Sequence, residues 1–141
     1  MTDLLLYRLL HFVGNIFWLG GVVSVGLVGA GLAGASERSH AAPLRRTALT
    51  IATPGMVLAW LGGLGMLLPA WGEVYARAGW MHGKITLALI AAALTGVLTG
   101  RLRRAANGTG ELKPGLLRGL SWTVLVLALL TVGLAVLRPG A

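Results

Sequence analysis

Four long apolar runs fill most of this 141-residue chain, at about 4–33, 47–70, 79–102 and 115–137. Each approaches or exceeds the roughly 20 residues that an α-helix needs to cross the hydrocarbon core of a bilayer. In lipid every backbone N–H and C=O has to be bonded internally, and a long continuous apolar run does this as a helix. The sequence therefore predicts an all-α integral membrane protein, one domain built as a four-transmembrane-helix bundle. Charged residues make up 11% of the chain, against about 25% in a soluble domain. No stretch is left for a separate soluble domain.

Charge placement gives the expected orientation. The net charge is +8, but the basic residues cluster in short loops, at Arg38, Arg45 and Arg46 and again from Arg101 to Arg118. The positive-inside rule produces this pattern, so the basic balance reports topology rather than nucleic-acid binding. Both basic loops are expected in the cytoplasm and both termini on the outer, periplasmic side of the plasma (inner) membrane. Asp3 precedes the first run, and no basic residue stands before it. The run also exceeds the apolar core of a cleavable signal, so it reads as a retained first span.

The polar residues inside these runs are few and carry the functional argument. On span one, Arg8, His11, Asn15 and Trp18 recur every three or four residues and share one helical face. Gly26, Ala30 and Gly34 follow as a small-residue ridge that permits close helix approach. The first loop contains His40, read as a solvated histidine, and is punctuated by Pro43. On span two, Pro54 removes a backbone donor and predicts a kink, which the hydroxyls of Thr50 or Thr53 could re-satisfy. Gly62, Gly63 and Gly65 thin the far half of that span. Trp71 and Tyr75 mark the interface beyond it. Span three opens on Gly79-Trp80-Met81-His82-Gly83-Lys84 and later carries Gly96 and Gly100, a GxxxG pair. Span four is nearly all Leu, Val and Ala after Ser121 and Trp122, and reads as a lipid-facing or packing helix.

His11 and His82 lie at similar depths on parallel spans, near the outer face. Two imidazoles on facing helices are a standard way to hold haem iron in a bundle core. Arg8 and Lys84 would then neutralise the propionates, and Trp18 and Trp80 would pack on the macrocycle. The chain contains no cysteine, so any haem is non-covalent, of b type. The plainer reading stands beside this one: a membrane-edge histidine also serves by bonding a carbonyl, a lysine by snorkelling and a tryptophan by anchoring. Met56, Met66 and Met81 are scattered, which suits gap filling better than copper. The four acids, Asp3, Glu37, Glu73 and Glu111, all lie at ends or in loops, which argues against a two-carboxylate hydrolase or an intramembrane ion relay.

Several segments together resemble a known family. They are Leu10-His11-Phe12, Trp18, Gly20-Gly21, Thr53-Pro54-Gly55-Met56, Trp80-Met81-His82-Gly83-Lys84, Gly100-Arg101-Leu102 and Arg118. In order, spacing and length the chain is similar to the small four-helix membrane proteins grouped around the HemJ type of protoporphyrinogen oxidase and the related CopD-like domains. That resemblance implies a haem b, with His11 and His82 as iron ligands and Lys84 as the functional partner. It also implies redox work in the membrane, with a porphyrin or haem bound and a quinone or another redox partner. The chain departs from the HemJ pattern at Val25–Gly34, Thr95-Gly96 and Ser121-Trp122, where that family carries polar residues. The leading expectation is therefore a haem b protein that moves electrons within the membrane. Oxidation of protoporphyrinogen IX comes second. A non-catalytic or copper-linked subunit, in a homo-oligomer or a larger membrane complex, comes third.

Overall fold

The computed structural model describes residues 2–32 and 37–138. They form helices α1 (Thr2–Leu32), α2 (Glu37–Thr47), α3 (Thr53–Leu67), α4 (Gly79–Ala106) and α5 (Pro114–Leu137), with no strand among the described residues. A π-helical turn, Ala48–Ala52, joins α2 to α3. Beyond α3 come a 3-10 turn, Leu68–Ala70, and a second π turn, Trp71–Tyr75. Four segments are long and apolar enough to cross a membrane: Asp3–Leu32, His40–Tyr75, Gly79–Ala106 and Pro114–Leu137. The all-helical, four-span architecture expected from the apolar runs is what the chain adopts.

The second span begins earlier than its hydropathy suggests. Pro43 and His40, expected in a loop, stand inside helix α2, and His40 is half-buried. Ala41, Leu44 and Ala48 are buried at helical spacing, and α2 packs on α4. That burial holds the helix through its proline. At Pro54 the irregularity takes the form of the π turn. The Thr53 N–H and the Thr53 hydroxyl both reach the carbonyl of Ala48, the hydroxyl at 3.0 Å, and Thr50 Oγ1 donates to Arg46 at 2.9 Å. Both hydroxyls bond carbonyls upstream of the proline, and neither bonds that of Thr50, the one whose i+4 donor Pro54 lacks.

Small residues decide which helices touch. Along the second span Ala41, Ala48, Ala52, Gly55, Ala59 and Gly62 make a buried stripe, and α1 lies along it. A Cβ built on Gly14 would fall 2.8 Å from Ala59 Cα, and one on Gly62 would fall 2.9 Å from His11 Cα. These two helices pack backbone to backbone, which only glycine permits here. Gly26 of the expected ridge faces Ser121 and Leu117 of α5, and Ala30 is buried; Gly34 lies outside the described residues. Gly96 and Gly100 face nothing within 4 Å of a built Cβ, so the GxxxG pair joins no described helices.

The bundle is tight at one end and open at the other. At the end bearing the basic loops, Ser121 Oγ donates to the Val22 carbonyl at 3.1 Å, and Val22, Val25, Leu98, Leu102, Leu117 and Val124 are fully buried. The turn after α4 closes on Gly108, whose φ of 72° suits glycine, and Leu112 tucks back into the core. Toward the end bearing both termini, α1 stays with α3, and α4 stays with α5. However, α3 does not pack closely against α4 or α5. Helix α1 has no buried residue before Gly14 in its described part, and α5 has none after Val124. Two helix pairs therefore splay apart, and a cleft lies between them.

Candidate functional site

The cleft holds a cavity of about 640 Å³, within the roughly 300–1,000 Å³ usual for small-molecule sites. Helices α1, α3, α4 and α5 all line it. Its floor is a buried hydrogen bond: Trp18 Nε1 donates to Thr95 Oγ1 at 2.9 Å, and the Thr95 hydroxyl donates in turn to the Ala91 carbonyl at 2.9 Å. Its walls are largely apolar, with Leu19, Ala59, Ile85, Ala88 and Ala128 among them.

The polar stripe of α1 faces this space. Arg8, His11, Asn15 and Trp18 all line the cavity, as their spacing requires. Asn15 Nδ2 donates to the carbonyl of His11 at 2.7 Å, which bonds the two residues along the stripe. His11 Nδ1 lies 2.7 Å from the carbonyl of Ala59 on α3. A carbonyl oxygen can only accept, so Nδ1 carries the proton and Nε2 keeps its lone pair. Gly63 makes room for the ring, because a Cβ there would stand 3.2 Å from Nδ1.

Across the cleft, α4 contributes Trp80, Met81, Lys84 and Ile85. Trp80 is buried and makes an edge contact with Tyr75, with ring centroids 5.9 Å apart. The Arg138 guanidinium carbon stacks over the other side of the mouth, 5.7 Å from the Trp80 ring centroid. Lys84 shares the lining with His11 and Arg138. Arg8, Lys84 and Arg138 bring three cations to the lining, and among the described residues no Asp or Glu lines it.

His82 is the exception among the expected site residues. It is exposed and does not line the cavity. Its Nδ1 donates to Ala78 at 3.0 Å, and its ring lies edge-on to Trp71 at 5.5 Å. The structure brings His11, and not His82, to the cavity. Each residue turns a helix by about 100°, so residues 82 and 84 point roughly 200° apart. Lys84 faces the cavity, and His82 therefore faces away.

Three contributions had not been anticipated. Tyr75 closes the mouth, whereas its sequence position suggested only an interfacial anchor. Arg138 arrives from beyond the last apolar run. Span four, read as a lipid-facing or packing helix, lines the cavity with Ala128, Thr131 and Ala135. That spacing of small or polar residues in a run of Leu and Val was the available signal. Met66 and Met81 line the cavity, while Met56 packs against the core. Among the described residues no group of three or more His, Cys, Asp or Glu side chains could by itself enclose a metal ion.

No family model matches the chain, and neither the curated proteins nor the solved structures yield a match.

Proposed function

We propose that this chain is a haem b-binding protein of the plasma membrane that carries electrons within the bilayer, with His11 as the iron ligand. The observation that carries the proposal is the His11–Ala59 hydrogen bond. A histidine that ligates metal nearly always donates its other ring N–H to a carbonyl or carboxylate, which fixes the tautomer and the ring orientation. His11 has that arrangement, and its ring borders a cavity of ligand size. The remaining residues suit a tetrapyrrole: apolar walls for the ring, Trp18 and Trp80 at its margins, and Arg8 and Lys84 for its carboxylates. Once bound, such a group supplies a one-electron ferric–ferrous couple. The resemblance to HemJ-type and CopD-like proteins points the same way.

The test is a reduced-minus-oxidised absorption spectrum of the purified protein beside His11→Ala and His82→Ala. Haem b bands are expected in the wild type and in His82→Ala, and lost or strongly weakened in His11→Ala. A protein that takes up no haem, even when it is supplied during expression, refutes the proposal. Equal loss in the two variants refutes the single-histidine site.

A second reading, oxidation of a porphyrinogen, is favoured by the position of Lys84 inside the cavity. A porphyrinogen becoming a porphyrin loses electrons and protons in equal number. The electrons require an acceptor such as a quinone, and Lys84 with His11 would handle protons. Turnover of protoporphyrinogen with quinone present, abolished in Lys84→Met, is the expected result. A haem-loaded protein without that turnover removes this reading and leaves the first.

A further inference from the structure

We infer that the mouth of the cleft is a dicarboxylate-selecting site filled from the lipid, in which Arg138, at the end of α5, is the third anion-binding group. This rests on reading the cavity as a tetrapyrrole site, and it adds the residue that decides which tetrapyrroles, or similar amphiphiles, are accepted.

The position of Arg138 is unusual in itself. It closes α5 in the left-handed region, with φ 43° and ψ 56°, and its N–H bonds Leu134 at 3.1 Å. Glycine normally takes that place, because a Cβ crowds the following carbonyl in this conformation. In this conformation the Arg138 side chain lies over Trp80, the buried indole at the start of α4. Among the described residues its side-chain hydrogen bond is a long one, from Nε to Ala135 at 3.4 Å. Stacking on Trp80 therefore holds the guanidinium at the cavity mouth.

Charge then defines the ligand. Three cations, on α1, on α4 and at the end of α5, line the mouth of a largely apolar space, and among the described residues no Asp or Glu lines it. Cations at the edge of a membrane normally find partners. Arginine favours carboxylate, because its planar fork can donate two parallel hydrogen bonds. A ligand with an apolar body and two carboxylates satisfies Arg138 and Lys84 or Arg8 together. A ligand with one carboxylate, or with none, leaves at least two of the three cations unpaired.

The route follows from exposure. Phe12, Val132 and Val136 line the cavity and are also 67%, 58% and 73% exposed. All three are apolar and lie on α1 and α5, where those helices splay. The opening between them faces lipid, so the ligand arrives as a membrane-dissolved amphiphile.

The experiment uses metal-free protoporphyrin IX and its dimethyl ester, so that iron ligation plays no part. Binding is followed by quenching of tryptophan fluorescence, with the protein in phosphatidylcholine nanodiscs. The wild type is expected to bind the diacid at least tenfold more tightly than the ester. Loss of a charge-assisted pair lowers affinity by roughly tenfold or more, so Arg138→Ala should remove most of the preference. Arg138→Lys should retain part of it. Ester binding should stay unchanged in both variants, which also shows that they fold. Arg101→Ala, an exposed arginine at the opposite end of the bundle, should change nothing. A wild-type acid-to-ester ratio in Arg138→Ala overturns the inference, as does equal affinity for both forms, or binding of neither, in the wild type. Displacement of the diacid by phosphatidylglycerol, dependent on Arg138, assigns the site to a lipid head group and overturns the dicarboxylate. His11→Ala separates the two proposals: it should lose the haem bands yet keep the acid-to-ester preference. A wild type without haem bands whose preference depends on Arg138 would refute the haem reading alone.

Discussion

Replacing Gly62 by alanine should separate α1 from α3 and, with them, displace His11. A Cβ at Gly62 would lie 2.9 Å from His11 Cα and 2.5 Å from the Tyr7 carbonyl oxygen. Carbon atoms rest at about 3.5 Å or more, so the helices must part by roughly 0.6 Å at the least. Both neighbours are backbone atoms, and no rotamer change can relieve the contact. Overpacking of this kind costs about 1–3 kcal/mol, roughly 5- to 150-fold in the folding equilibrium. Gly96→Ala is the matched control. Nothing lies within 4 Å of its Cβ, so only the better helix propensity of alanine remains, worth up to about 1 kcal/mol in the stabilising direction. Unfolding by SDS in mixed micelles, followed by circular dichroism, measures both. If Gly62→Ala unfolds at the same SDS fraction as Gly96→Ala, the close approach of α1 to α3 is refuted. Gly63→Ala should fall between them in stability, because its Cβ would press on the His11 ring at 3.2 Å rather than on backbone.

Three further perturbations probe other parts of the fold. Thr95→Val should leave the buried Trp18 indole N–H without an acceptor and cost about 1–3 kcal/mol. A double-mutant cycle with Trp18→Phe should return a coupling of roughly 0.6–2 kcal/mol, and a coupling of zero in the same SDS titration would remove this bond from the cavity floor. Gly26→Ala should destabilise the bundle, since its Cβ would stand 2.7 Å from Ser121 Cβ and closer still to Ser121 Oγ. Adding Ser121→Gly should recover part of the loss, and a double variant less stable than either single one argues against the contact. Thr53→Val should cost under about 1 kcal/mol, because the Thr53 backbone N–H still reaches the Ala48 carbonyl; a larger loss of thermal stability would show that the hydroxyl, not the π turn, accommodates Pro54.

Hydropathy made the spans legible, since a run of about 20 apolar residues has few physical options. The stripe of Arg8, His11, Asn15 and Trp18 was equally legible, because helical spacing fixes which residues share a face. The same rule, applied to span three, separates His82 from Lys84, and grouping them by proximity in sequence hid this. The start of α2 was not legible. Its mean hydropathy is low, and the packing of Ala41 and Leu44 that carries it through Pro43 is a tertiary effect. Nothing in the sequence marks Arg138 as a cavity residue. Its place depends on the left-handed close of α5 and on a stacking partner nearly sixty residues earlier in the chain.

The uneven closure of the bundle has a mechanical consequence. The two helix pairs are tied at the basic end and around the Trp18–Thr95 bond, and they are free of each other beyond it. Trp18 then acts as a fulcrum, and the stretch of α1 from Trp18 back to Arg8 is a lever arm of about 15 Å. A rotation of only about 5° at the fulcrum would swing Arg8 by roughly 1.3 Å at the rim. The jaws can thus change their grip while the core that holds them together barely shifts.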